Sequence, residues 1–314
     1  MELNAINRYL LQRLLQLIPV LLGISCITFA LMHLTPGDPA EIMLRADGIK
    51  PTQEAVEVTR LALGLDGPVH KQYFHWLNRV SHLDLGLSYS SGRPVFTELM
   101  SRFPATILLS ACSVLSAILI ALPIGVGSAL NPGKLLDRLG RVCALLSVSM
   151  PGYWLSLLLI YYGAVKFKLF PVMGMDGVSS VILPALTLGF GMAGVYIRLI
   201  RSSLLDVLGK RYITAARAKG LQEWRIIIRH ALRNALLPSL TLLGVNIAGL
   251  LGGSVIVETI FSWPGIGKYA IEAIFAKDYI VIQGYVLWMA VVVVLINLTV
   301  DLLHLLLDPR IRLR

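Results

Sequence analysis

"LLQLIPVLLGISCITFALMHL", residues 14–34, runs for about 20 positions without an aspartate, glutamate, lysine or arginine. A hydrocarbon core of roughly 30 Å is crossed by about 20 helical residues, so the stretch reads as a transmembrane helix. Basic residues precede it, as they do in a secretory signal. The run is longer than the roughly 7–15 apolar residues of a signal core, and no small-residue cleavage pattern follows. It is read as a retained anchor.

Comparable runs follow at residues 105–130, 139–165, 181–200, 236–257 and 280–303, giving six candidate spans. The composition agrees. The 314-residue chain is 56% hydrophobic and 15% charged, where a soluble domain carries about 25% charged residues. Cys26, Cys112 and Cys143 lie in or beside apolar runs with no paired spacing. They read as small core-facing residues, neither disulfides nor metal ligands.

The net charge of +10 would suggest nucleic acid on a soluble protein, but here its placement orients the chain. With the N-terminus inside, residues 1–13, the 131–138 loop with Arg141, residues 198–238 and the tail after residue 303 carry +1, +2, +7 and +2. Everything else carries −2. Basic loops stay on the cytoplasmic side, so both termini are expected inside and no nucleic-acid partner is implied. Residues 35–104 then form one long outside segment. Leu61, Leu65, Tyr73, Trp76, Leu77 and Val80 recur at helical spacing between Gly-Pro turns, which predicts a small folded cap of amphipathic helices.

"KRYITAARAKGLQEWRIIIRHALRNALLP", residues 210–238, holds much of the basic surplus. The pattern predicts a helix over 204–219, a left-handed stop at Gly220 and a second helix over 222–237 ahead of Pro238. Ala215, Ala216 and Ala218 would keep one surface low, so that another protein could approach the backbone. Arg217, Lys219, Arg225, Arg229 and Arg233 would stay at the inner membrane surface. The plainer reading is an inside loop made basic for topology alone.

"ITAARAKG" followed by "HALRNALLP" resembles the cytoplasmic signature of ABC-importer permeases of the dipeptide, oligopeptide and nickel branch. "LTPGDPA", "LGLDGPVHKQY", "LDLGLSYSSGRPV", "SMPGYW", "RLIRSSLLDVLG", "ETIFSWPGIGKYAIEAI" and "LDPRIR" are similar to that branch in the same order. The resemblance implies an all-α membrane protein with six transmembrane helices and the type-1 importer permease fold. Residues 1–34 would hold an N-terminal segment and the first span, 35–104 a periplasmic cap, 105–303 the five-span core with a coupling hairpin at 204–238, and 304–314 a cytoplasmic tail. It implies that Tyr212, Thr214, Ala215, Ala216, Arg217, Ala218, Lys219, Gly220, His230, Arg233 and Asn234 dock on an ATPase. Two departures stand out: Thr214 replaces a frequent acidic residue, and Lys210 and Arg211 precede the tyrosine where many peptide-type members are acidic.

The implied partners are a paralogous permease, two cytoplasmic ABC ATPases, a periplasmic or lipid-anchored substrate-binding protein and the lipid of the bacterial inner membrane. Gly133-Lys134 and Gly267-Lys268 lack the rest of a phosphate-binding loop. No cofactor is expected in this chain, which would be a transport subunit and not an enzyme; ATP and magnesium would belong to the partner ATPases.

Outside, "FSWPGIGKYAIEAIFAKDY" (261–279) places Trp263 to suit an interface, with Pro264, Gly265 and Gly267 breaking the helix. With Glu258 these residues are candidates for an outer gate or receptor-docking rim, or simply form a tight loop. Asp301 is a pathway candidate, with snorkelling or an intersubunit pair as its alternative. His33, His70, His75, His82, His230 and His304 show no metal-ligand spacing. For cargo, the short 166–180 loop, "GKRY" and "LDPRIR" tilt the resemblance towards nickel or a metal chelate, with dipeptides or oligopeptides as the alternative. A secondary transporter should show an internal repeat and mid-span charges, and an intramembrane protease paired catalytic groups; neither pattern is present in the sequence.

Overall fold

A computed structural model describes residues 2–34, 38–45, 51–62, 64 and 66–307. Apart from one isolated bridge between Leu87 and Pro94, the regular structure among these residues is helical. The chain divides into two compact units. The first comprises Met1–Pro104 and Gly265–Leu298, the second Ala105–Pro264 and Thr299–Arg314.

In the first unit, α1 (Glu2–Leu34) is followed by α2 (Pro39–Arg45), α3 (Gln53–Ala62) and α4 (Val69–Ser81). Helices are therefore present where the sequence predicts them in this segment. Leu61 stays exposed, and Leu65 lies outside the described residues. Helix α4 lies on α1: Phe29 meets the rings of Tyr73 and Trp76, the Ser25 and Tyr73 hydroxyls are 2.8 Å apart, and His33 pairs with Gln72 at 3.0 Å. Cys26 is exposed, against the core-facing reading, because α1 turns Phe29 and Ser25 towards the cap and leaves its other side uncovered. The turn after α4 is fastened by Asp278. Its carboxylate accepts hydrogen bonds from the Ser88 hydroxyl (2.6 Å), the Ser90 amide (3.1 Å) and the Ser90 hydroxyl (3.2 Å).

Helix α5 (Val95–Leu130) spans the boundary between the units and contains Pro104 and Pro123, which a membrane helix tolerates. The second unit continues with α6 (Leu135–Ser149) and α7 (Gly152–Leu159), the latter extended by a π-helical turn to Lys166. The single span expected over 139–165 is thus two helices bent by 106°. The break falls at Pro151, which has no amide hydrogen to continue the ladder and disfavours helical backbone at Met150. Helix α8 (Ile182–Leu208) follows, then α9 (Arg211–Ala218).

After α9 come α10 (Glu223–Arg225), a π-helical turn over Ile226–Leu232, and α11 (Arg233–Ala235). Helix α12 (Leu237–Gly253) leads to α13 (Val255–Ile260). The helix ahead of Pro238 ends at Ala235, and Pro238 opens α12, whose first turn needs no amide donor there. The axis bends by 43° at this point. The last helices are α14 (Ile266–Phe275) and α15 (Tyr279–Leu307).

Three helices among the described residues are long and apolar enough to cross a membrane: Val95–Leu130, Val178–Leu208 and Tyr279–Val300. The two bent pairs raise this to five, and the apolar part of α1, Ile18–Leu34, is shorter. Six unbroken spans is therefore not the observed count.

Candidate functional site

Within the second unit, α5 runs parallel to α8 and α6 antiparallel to it. Ser116 reaches the Ala185 carbonyl at 2.8 Å, and further along both helices Ala129 clusters with Leu204. In contrast, Asp137, Ala144 and Ser147 of α6 meet Arg201, Gly194 and Phe190 of α8 in reverse order. A Cβ at Gly194 would lie 2.5 Å from the Ala144 carbonyl, so glycine permits the close approach of the backbones.

Helix α8 stops at Leu208, and Gly209 and Lys210 turn the chain into α9. The helix expected over 204–219 is therefore two, because the Gly209 amide closes α8 onto Leu205 and Lys210 leaves the helical region. Gly220 has φ +74°, as the sequence requires. Its amide donates to the Arg217 carbonyl (2.9 Å) and the Leu221 amide to the Ala216 carbonyl (3.4 Å), the pair of bonds of a Schellman stop. The chain then reverses into α10.

Ile213, Ile226, Ala231 and Ala235 are wholly buried together with Leu204 of α8 and Ala129 of α5, so the hairpin is packed onto the ends of those two helices. Ala216 packs against this core, and its place on a low outer surface needs correction. At 100° per residue it faces the same way as Ile213, inward. The exposed face carries Arg211, Thr214, Ala215 and Ala218 at helical spacing. Tyr212, Arg217, Lys219, His230, Arg233 and Asn234 are also exposed. Two of them are tied together: Asn234 Nδ2 donates to the Tyr212 hydroxyl at 3.0 Å.

The sequence reading missed Glu223. Arg217 Nη2 and Nε reach its two carboxylate oxygens at 2.6 and 3.1 Å across the turn. The fork holds the Glu223 carboxyl below its usual range and raises the Arg217 guanidinium. The hairpin thus has an acidic group after Gly220, although Thr214 stands at the expected acidic position. Trp224, likewise missed, is 57% exposed with its indole nitrogen on Gln222. A bulky apolar ring left facing water in a basic segment was the signal for it.

Asp137 and Arg201 were also passed over. Asp137 is 1% exposed and takes the Arg201 guanidinium in a fork, Nε at 2.6 Å and Nη2 at 3.0 Å, plus the Gly133 amide at 2.9 Å. Arg201 and then the Gly133 amide lower the Asp137 pKa to about 2. Both residues were counted only as loop charge, since nothing in their 64-residue separation signals a pair.

The outer candidates fall in both units. In the second, Glu258 is fully buried and its Oε1 accepts from the Thr106 hydroxyl (2.8 Å) and the Ser254 hydroxyl (2.9 Å). Trp263 is also fully buried, which corrects its reading as an interfacial aromatic. Its indole donates to the Ala105 carbonyl at 2.8 Å, and the ring packs on Ala105, Leu109, Val181 and Ala185. Pro264 is exposed. The left-handed residue of this turn is Ser262 (φ +49°), not a glycine. In the first unit, Gly265 precedes α14 and Gly267 is buried within it. The side chain of Asp301 and residues 308–314 lie outside the described residues.

With this geometry in place, residues 121–313 match the family described as the binding-protein-dependent transport system inner membrane component, and residues 6–110 match the N-terminal family of such membrane components. The chain belongs to this family of inner-membrane permease subunits. It is 40% identical to the dipeptide transport system permease protein DppB of Escherichia coli (strain K12), over 97% of this chain and 98% of that one. It is also 40% identical to the glutathione transport system permease protein GsiC of Salmonella typhimurium (strain LT2), with the same coverage.

Two solved structures share the fold. A chain of the inward-facing MetNI methionine ABC transporter gives a TM-score of 0.58 at 20% identity, covering 67% of this chain and 96% of that one. A chain of an amino acid ABC transporter with histidines gives 0.52 at 19%, covering 75% and 98%. The type-1 importer permease fold is thereby the fold of this chain. These two named relatives are a dipeptide and a glutathione permease.

Proposed function

We propose that this chain is one of two permease subunits of an ATP-driven importer for dipeptides or similarly short peptides such as glutathione. The observation that carries the reading is the hairpin: a helix–Gly–helix unit packed onto the ends of α5 and α8, with an exposed Thr214–Ala215–Ala218 face and a hydrogen-bonded stop at Gly220. Such a face admits another protein close to the backbone. The +7 charge of residues 198–238 keeps it on the cytoplasmic side, where an ATPase would meet it. Two ATPases supply ATP and magnesium chemistry, a paralogous permease supplies the other half of the pathway, and a substrate-binding protein delivers cargo to the outer surface formed in part by residues 35–104. Closure of the ATPases moves the hairpin and reorients the spans.

Cargo is tested by uptake of radiolabelled dipeptide, labelled glutathione and nickel-63 in cells with and without the chain. Chain-dependent accumulation of a peptide supports the reading. Accumulation of nickel with neither peptide overturns it. Uptake that persists when the partner ATPases lose their phosphate-loop lysine would remove the ATP-driven mechanism and restore the secondary-transporter alternative.

A further inference from the structure

The hairpin can drive transport only if its motion reaches the opposite end of the unit. Helix α9 hangs from α8 through a two-residue link, Gly209–Lys210. Seven residues before the end of α8, Arg201 leaves the helix and forks onto Asp137. A helix rises about 1.5 Å per residue, so this contact sits roughly 10 Å from the hairpin. Asp137 is the side chain where three elements join. It holds the amide of Gly133 in the α5–α6 turn, it belongs to the first turn of α6, and it grips α8. Arg141, one turn along α6, adds a second guanidinium at 3.9 Å.

Above this contact the two helices stay fastened. The Ala144 carbonyl lies against Gly194, and Ser147 Oγ donates to the Phe190 carbonyl and accepts from the Gly194 amide (2.9 Å). From Asp137 to Ser147 the seam covers about 15 Å of helix. Beyond the bend at Pro151, α7 and its π-helical turn bring Leu159, Ile160 and Ala164 against Val257 and Phe261. These flank Glu258 and precede Trp263. One packed course therefore links the hairpin to the outer turn inside a single unit.

We propose that Asp137 is a positioning residue for coupling: by clamping Arg201 it makes α6 and α8 move as one lever, so that displacement of the hairpin is delivered through α7 to residues 255–263. The inference rests on the hairpin being the ATPase contact. A carboxylate suits this role because a bidentate guanidinium pair fixes orientation as well as distance, whereas apolar packing near a helix end would let α8 slide along α6.

The test is hydrogen–deuterium exchange on the complete transporter, purified with its ATPases and partner permease, with and without a non-hydrolysable ATP analogue. In the unaltered complex the analogue should change exchange both at 211–220 and at 255–263. Asp137→Asn should keep the change at 211–220 and reduce that at 255–263 roughly fivefold or more, the low end of ordinary coupling between sites. The double variant Asp137→Asn with Arg201→Gln leaves no buried charge unpaired and should show the same split, even if the single variant accumulates poorly. A change at 255–263 that survives in either variant overturns the proposal. So does failure of both variants to assemble, which would make the pair a requirement of folding alone. If the unaltered complex shows no change at 211–220, the hairpin reading has failed. A change at 211–220 without one at 255–263 refutes the lever and leaves the hairpin reading intact.

Discussion

Asp137 and Glu258 are both buried carboxylates of the second unit, and their surroundings differ. Asp137 takes a forked guanidinium and an amide, with Arg201 itself 27% exposed. Glu258 takes hydroxyls, from Thr106 and Ser254. The first lies on the segment assigned to the inner surface, where a long basic side chain can keep its stem on the protein and its head near water. The second lies near the end of a span, where short hydroxyls, Thr106 on α5 and Ser254 one turn earlier in the chain, reach the acid without a long cationic stem. One environment joins elements that must move together. The other fastens a turn, since the Glu258 carbonyl also accepts the Trp263 amide at 2.8 Å.

The sharpest way to break the outer side of this comparison is Trp263→Ala. A fully buried tryptophan truncated to alanine costs about 3–5 kcal/mol, and here it also removes the indole's hydrogen bond to the Ala105 carbonyl. Thermal unfolding in detergent should show the largest loss among these variants. An unchanged midpoint would mean the turn is not fastened there.

On the inner side, Gly220→Val forces a branched side chain into φ +74°, while open space surrounds the position. The strain is of order 1–3 kcal/mol, so capture of the ATPases should fall roughly five- to 150-fold at normal membrane abundance. A pair of alanine variants sharpens the assignment. Ala215→Trp should block docking and leave the hairpin folded, whereas Ala216→Trp overpacks the hairpin core by about 1–3 kcal/mol. Equal effects on ATPase capture and on stability in both would erase the distinction between the two faces.

Glu258→Gln should be milder, because an amide oxygen can still accept from Thr106 and Ser254. A loss of about 1 kcal/mol is expected; a much larger one would show that the negative charge itself matters.

Acid tests the inner site. The Asp137 carboxyl is held down at about 2 by Arg201 and Gly133. Its contribution is fully present above the ordinary aspartate range and is lost as the pH falls through about 2. Asp137→Asn should flatten that part of the acid-unfolding curve, and an unchanged curve would contradict the pairing. The smallest effect is expected for Arg217→Ala. Its pair with Glu223 is 45% and 54% exposed and screened by water and salt, so stability and ATPase capture should scarcely move.

Much of the site was legible because its signals are local. Gly220 marks a left-handed stop from its own chemistry, which the structure shows at φ +74°. Ala216 was misplaced because three neighbouring alanines look alike in sequence, and only the helical phase distinguishes inward from outward. Trp263 was read as interfacial because an indole near a span end suits water as well as burial. The bend at Pro151 lay in "SMPGYW", yet the apolar run across it is long enough for one straight span.

The sequence by itself determined the membrane class, where the basic residues concentrate and where the Gly220 turn falls, because hydropathy, charge and turn chemistry act over a few residues. Only the tertiary structure decided which of the scattered acids are buried and what holds them. Asp137 meets Arg201 across 64 residues, and Glu258 meets Thr106 across 152. Those pairings depend on the register of helices packed side by side, which between α6 and α8 is held by the close contact at Gly194.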